Sequence, residues 1–199
     1  MQSVDRIVTI LALLADSSKG LGITDLYEAC ELPKSTLHRI LTSLVMHDFA
    51  VQDPHTKKYR LGSAMLRMGA RFLSQNDVRA IARPYLEQAE KELRETVYLC
   101  ILQGERVICV DAVSTSRDLN YFVSVGKEMP FNISAAAKAI LAYQPADFIA
   151  NVLGSDKIAF KTANSITDPE RLEKHLASIR ILGYSICEEE MEEGATAVA

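Results

Sequence analysis

Apolar residues recur at helical spacing at Val4, Ile7, Ile10, Leu11 and Leu14, predicting a first helix from a Ser3 cap to about Asp16. Ser17-Ser18-Lys19-Gly20-Leu21-Gly22 breaks the pattern. Thr24 is then placed to cap a short second helix, with Asp25 in its first turn and Leu26 and Ala29 on its apolar side. Glu31-Leu32-Pro33 turns the chain into a third helix within residues 32–45, with Pro33 in its first turn. Leu37, Leu41, Leu44 and Val45 of that helix are expected to face a core. Ser35, His38, Arg39 and Thr42 share the opposite face, with Lys34 beside them. Phe49–Gln52 and Tyr59–Leu61 read as two short strands joined by the polar, basic turn Asp53-Pro54-His55-Thr56-Lys57-Lys58. Three helices followed by a two-stranded ribbon describe a winged helix-turn-helix.

Ser63–Ser74 reads as a further helix, apolar at Met65, Leu66, Met68 and Phe72, and suited to a linker or dimer contact. Asn76-Asp77 marks a boundary, and a longer helix follows to about Arg94, with Pro84 expected at a kink or restart. Strand-like patterning then takes over. Val97–Leu102 and Arg106–Val113 flank the hairpin signal Gln103-Gly104-Glu105, and Tyr121–Val125 is expected as a third strand. Ser134–Tyr143 is an Ala-rich helix; Asp168 caps another from Pro169 to about Leu182, which Gly183 ends; Tyr184–Glu188 is a strand. The fold class is α+β. The expected organisation is a DNA-binding domain at 1–62, a linker helix at 63–76 and a second domain at 77–199.

Composition narrows the function. No apolar run approaches the roughly 20 residues of a membrane span, and no signal peptide is visible. The four cysteines lie far apart without metal-ligand spacing, so no metal and no cofactor is expected. Sparse free thiols suit a reducing cytoplasm, the expected location. The net charge of −4 looks wrong for a nucleic-acid binder, but residues 32–71 hold seven basic and two acidic side chains. That local excess is the footprint of a nucleic-acid site, although a solvated polar face could produce the same skew.

The polar face of the third helix carries hydroxyls, an imidazole and cations but no acid, as a helix in a DNA groove would. Arg39 is the candidate guanine reader, since its fork matches O6 and N7. Ser35, Thr36, His38 and Thr42 are candidates for bases or phosphates, and Lys34 for a phosphate at the helix N-terminus. Thr36 is also a candidate for capping or packing, and the whole face for an ordinary solvated surface. Lys57 and Lys58 would sit at a wing tip, within reach of phosphates or a minor groove, or would be a solvated hairpin turn. In the second domain, Ser134-Ala135-Ala136-Ala137 opens a helix whose free amides could hold a carboxylate, or whose small residues could simply pack closely. An enzyme would have to draw on Cys100, Cys109, Cys187 and His175, and no motif pairs them.

The order of motifs resembles the IclR family of bacterial transcription regulators. The carriers in the first half are Ser3-Val4-Asp5-Arg6, Leu32 through Leu41, and Tyr59-Arg60-Leu61-Gly62. Those in the second half are Ala82-Arg83-Pro84, Glu95-Thr96-Val97, Gly126 with Met129-Pro130, Lys138 through Ala142, Arg180 with Gly183-Tyr184, and Glu189-Glu190 with Gly194. The resemblance implies a GAF-like effector domain at 77–199, dimers or pairs of dimers on operator DNA, and a small organic or aromatic acid as effector. Its implied pocket positions are Tyr121, Met129, Ala135, Ala136, Cys187 and Ala197, with Ser134 at the helix start. Repression is the expected mode of regulation. An interaction module with a non-functional sensor is the alternative.

Three residues depart from the family pattern. Glu31 and Ala137 stand where glycine is usual, and Cys187 where aspartate is common. The resemblance also implies further residues beyond Ala199, including strands that close the effector sheet, so the sensor is expected to be incomplete.

Overall fold

The computed structural model describes residues 3–75, 77–114, 123–155 and 158–199. Two compact units divide the chain, Met1–Asn76 and Asp77–Ala199.

In the first unit, α1 (Ser3–Asp16), α2 (Ile23–Cys30) and α3 (Lys34–Met46) pack around Ile10, Leu14, Leu26, Leu37 and Leu41. The side chain of Ser3, expected as a cap, lies outside what is described. Thr24 does not cap α2. Gly22 occupies the N-cap with an extended backbone, and its amide donates to Asp25 Oδ2 at 2.8 Å. The helix thus starts two residues early, and Asp25 supplies the end group that Thr24 was expected to supply. Glu31 ends α2 in the left-handed region (φ 53°), its amide donating to the Tyr27 carbonyl. A non-glycine residue there costs roughly 1–2 kcal/mol. Pro33 is the N-cap of α3, outside its first turn, because its ψ of 135° is extended. Val45, expected in the core, is 37% exposed. It lies eight residues beyond Leu37, roughly 80° around the helix, so the narrow stripe of Leu37, Leu41 and Leu44 excludes it.

β1 (Ala50–Gln52) and β2 (Tyr59–Leu61) pair antiparallel, with Ala50 opposite Leu61. Leu21 adds a bridge to Tyr59, exchanging amide and carbonyl at 3.0 and 2.8 Å. The tip is closed locally: Asp53 accepts from the amides of His55 and Thr56, and Lys57 takes a left-handed conformation (φ 58°). α4 (Ser63–Ser74) follows, with Ala64 buried against the Asp48 carbonyl and Leu66, Met68 and Phe72 exposed.

The second unit starts with α5 (Asp77–Leu93), which runs unbroken through Pro84 rather than restarting there. Arg83 of α5 reaches the buried carboxylate of Asp111 at 2.9 Å, and Arg79 approaches its other oxygen at 3.3 Å. Asp111 lies on β4 (Arg106–Val113), which pairs antiparallel with β3 (Val97–Gln103). The third strand is β5 (Glu128–Met129), paired with β4. The expected strand Tyr121–Val125 does not form over Val123–Val125, and Tyr121 lies outside the described residues. Gly126 (φ 91°) turns the chain there, and its amide bonds the Cys109 carbonyl, so pairing with β4 begins after the turn.

α6 (Ala135–Ala142), α7 (Ala146–Leu153) and α8 (Pro169–Leu182) complete the core with Leu141, Val152, Leu172, Leu176 and Ile179. Asp168 caps α8 through Glu170 N, and Gly183 (φ 81°) ends it, as the sequence predicts. Neither α7 nor β7 (Thr196–Val198) was expected; β7 pairs antiparallel with β6 (Ile186–Glu188).

Candidate DNA interface and effector site

Helix α3 displays its polar face to solvent because leucines anchor the other side. Lys34, Ser35, His38, Arg39 and Thr42 are exposed and Thr36 is half-buried. No acid lies in α3, and among the described residues Arg39 has no ion pair. Its guanidinium is therefore available to an external acceptor. Lys34 Nζ lies over the Tyr27 ring, 5.4 Å from its centroid, which holds the ammonium at the start of α3. Pro33 offers that end no side-chain cap, so first-turn amides add to the positive end of the dipole. Thr42 is more committed than expected. Its hydroxyl donates to the His38 carbonyl at 2.9 Å and lies 3.4 Å from His38 Nδ1, leaving mainly its methyl and a lone pair for a partner. At the wing tip Lys57 is exposed and Lys58 half-buried. The hydrogen bonds from the Thr56 and His55 amides hold the Asp53 carboxyl below the usual carboxylate range, so the acid at the tip is spent on the turn.

In the second unit the expected effector residues fall into two groups. Met129, Ser134, Ala135 and Cys187 are buried, whereas Ala136 and Ala197 are half-buried. Ser134 is the N-cap of α6, its hydroxyl accepting from Ala137 N at 3.4 Å. The amides of Ala135 and Ala136 donate to no described group. Cys187 and Ala197 sit opposite one another in the β6–β7 ladder. The Cys187 thiol donates to the Ile133 carbonyl at 3.0 Å, which joins β6 to the segment leading into α6. Burial pushes that thiol up, so it stays protonated and keeps donating. Asn132 braces the same segment, donating to the Ala159 and Ile166 carbonyls at 2.7 and 2.9 Å.

Three side chains near this place were not among the expected site residues. Tyr98 on β3 has its phenol pushed up to about 12, by burial first and then by Cys100, Cys187 and Cys109 around it. Lys138 is wholly buried one turn into α6 and bonds both carboxylate oxygens of Glu190 and the Ile186 carbonyl. Apolar neighbours on both sides of Lys138 in sequence were the available signal for its burial. A separate groove at the other end of α6 is lined by Ala142, Tyr143, Ala150, Leu153, Glu173 and Arg180, and holds none of the expected effector residues. Among the described residues no three metal-ligating side chains cluster, and no helix is long and apolar enough to cross a membrane.

A winged helix-turn-helix followed by an α+β unit defines a DNA-binding regulator with a second domain. The chain matches the IclR helix-turn-helix domain over residues 3–54 and the bacterial transcriptional regulator IclR C-terminal domain over residues 70–199, and it belongs to the IclR family. It is 31% identical to the glycerol operon regulatory protein of Streptomyces coelicolor, over all of this chain and 78% of that protein. An IclR regulator from Alicyclobacillus acidocaldarius has a crystal structure that superposes with a TM-score of 0.81 at 31% identity, over 98% of this chain and 79% of that one. The fold is shared at 23% identity, again with a TM-score of 0.81, by an IclR homolog from Microbacterium hydrocarbonoxydans crystallised with 4-hydroxybenzoate; the match covers 100% of this chain and 82% of that one. Its relatives are transcriptional regulators, so the chain is a regulator and not an enzyme.

Proposed function

We propose that this regulator binds an operator through α3 and the wing, that a small organic or aromatic carboxylate bound in the second unit controls it, and that it acts as a cytoplasmic repressor. The acid-free face of α3, on which Arg39 has no ion pair among the described residues, carries the DNA half of this reading. Arg39 reads a guanine edge; Ser35, His38 and Thr42 supply shorter contacts; Lys34, Lys57 and Lys58 hold phosphates. Thr36, half-buried, packs or caps as much as it contacts. A homodimer would present two such helices to related half-sites, and the exposed Leu66, Met68 and Phe72 of α4 offer it an apolar contact.

The two unpartnered amides at Ala135 and Ala136 support the carboxylate, since they meet an anion at the positive end of α6 beside small side chains. The 4-hydroxybenzoate bound by a protein of the same fold belongs to this ligand class. Footprinting on the DNA flanking the gene, with and without aromatic and aliphatic carboxylates, tests both halves. Protection of two half-sites, relieved by one of the acids, is the expected result. Protection that no acid alters, with no heat of binding in calorimetry, would favour a DNA-binding module whose sensor is silent.

A further inference from the structure

Cys100 and Cys109 stand opposite one another in the β3–β4 ladder. The Cys109 amide donates to the Lys127 carbonyl at 3.0 Å, and the Cys109 carbonyl accepts from the Gly126 amide at 2.8 Å. Both main-chain groups of a strand residue point to the same side, so Cys109 spends them away from β3. The pair is therefore of the non-hydrogen-bonded type, in which α-carbons lie about 4.5 Å apart and side chains come closest. That spacing falls within the roughly 4.4–6.8 Å that a disulfide requires. Directly opposed residues also share one face of the sheet. Here that face packs on the core: Cys109 is fully buried and Cys100 is half-buried, so a small reagent has a way in from the Cys100 side. Val110 is an extra residue between the pairs Leu99–Asp111 and Cys100–Cys109, and such a bulge lets the backbone adjust locally. The Cys109 thiol makes a long bond of 3.4 Å to the Asp111 carbonyl on its own strand, whereas Cys187 donates at 3.0 Å to Ile133 on another segment and Cys30 belongs to the first unit.

We propose that Cys100 and Cys109 are an oxidation site, a dithiol that hydrogen peroxide closes into a cross-strand disulfide. One sulfur, losing its proton, attacks a peroxide oxygen. The O–O bond breaks, a sulfenic acid forms, and the departing hydroxide takes that proton to leave as water. The second sulfur, losing its own proton, attacks the sulfenic sulfur. The S–O bond breaks, the S–S bond forms, and a second water leaves. Two thiols and one peroxide give one disulfide and two waters, with two electrons passing from sulfur to oxygen. The neighbouring thiol lowers Cys109 and raises Cys100, so Cys109 is the sulfur that ionises first, once it releases its long 3.4 Å bond to the Asp111 carbonyl. The site gives the second unit an oxidation input that does not depend on the effector reading.

The test uses the full chain, reduced, exposed to hydrogen peroxide, then alkylated under denaturing conditions and cut with trypsin. Cleavage after Arg94, Arg106 and Arg117 places Cys100 in peptide 95–106 and Cys109 in peptide 107–117. The two peptides are expected joined, two hydrogens lighter than their sum, and separated again by dithiothreitol. A chain with both Cys30→Ser and Cys187→Ser keeps the link. Cys100→Ser, at a half-buried position and checked for an unchanged melting curve, loses it and returns Cys109 as an alkylated thiol. The proposal is overturned if Cys100 links instead to Cys187 or to a second chain, or if it oxidises alone while Cys109 stays a thiol.

Discussion

Lys138 Nζ lies 2.7 Å from Glu190 Oε1 and 2.6 Å from Oε2, with no exposure at the lysine side chain and 9% at the glutamate. The pair fastens α6 to the segment after β6, and Thr162 and Ser165 fix that segment by donating to the Glu190 carbonyl. Lys138→Met leaves the glutamate buried without its partner, and a loss of about 3–5 kcal/mol is expected in urea denaturation. Adding Glu190→Leu should restore most of it, because the cost lies in the uncompensated charge rather than in the absence of an ion pair. A single-variant loss under about 1 kcal/mol would mean that the pair behaves like a solvated one.

Gly62 fixes the path from wing to α4. A β-carbon built there would lie 2.1 Å from the Asp48 carbonyl oxygen and 2.7 Å from its carbon, and both are backbone atoms. Gly62→Ala is therefore expected to cost more than about 3 kcal/mol in thermal or urea unfolding, at the severe end of single substitutions. Gly69→Ala is the control. Nothing lies within 4 Å of its added carbon, so it should gain up to about 1 kcal/mol of helix propensity.

The wing turn should depend on pH through Asp53. Its folded carboxyl lies below the ordinary value because the Thr56 amide, then the His55 amide, bond its charged form. A lowered carboxylate contributes stability that is present in full above the unfolded value of roughly 4 and is lost as pH falls through the folded value beneath it. Amide exchange at His55 and Thr56, extrapolated to a common intrinsic rate, should show protection at pH 5–7 that falls away below about pH 4. Asp53→Asn should remove this dependence.

Cys187 is expected to resist conversion to the aspartate that the family pattern carries. Its thiol donates to the Ile133 carbonyl inside the fold, and an ionised carboxylate there would face an acceptor. Cys187→Asp should cost about 1–3 kcal/mol, the penalty of a buried group without its partner, whereas Cys187→Ser keeps a donor and should cost less. Equal stability of the two variants in chemical denaturation would contradict this account.

Helix α3 is legible because both its signals are local: leucines at i, i+4 and i+7, and an acid-free opposite face. The same holds for the Asp168 cap and the Gly183 stop of α8. The left-handed Glu31 was raised by the resemblance, since the family's glycine marks a position whose conformation glycine tolerates. Apart from α7, which is as long as α2 and starts at the Pro145 cap, what escaped was non-local or too short to show a period. Lys138 and Glu190 are 52 residues apart, and nothing in either segment announces the other. β5 spans two residues and is placed by the turn at Gly126, and β7 spans three that exist as a strand only by pairing with β6. Thr24 resembles a cap in sequence, but Gly22, without a side chain to announce one, borrows the Asp25 carboxylate.

Operator binding by Arg39→Ala tests the central claim most directly. At fixed ionic strength, on an operator selected by the wild-type protein, the variant should lose about 1–3 kcal/mol and discriminate less at one base position. Its dependence on salt should change little if Arg39 reads a base rather than a phosphate. Unchanged affinity and unchanged sequence preference would contradict the assignment of α3 as the reading helix.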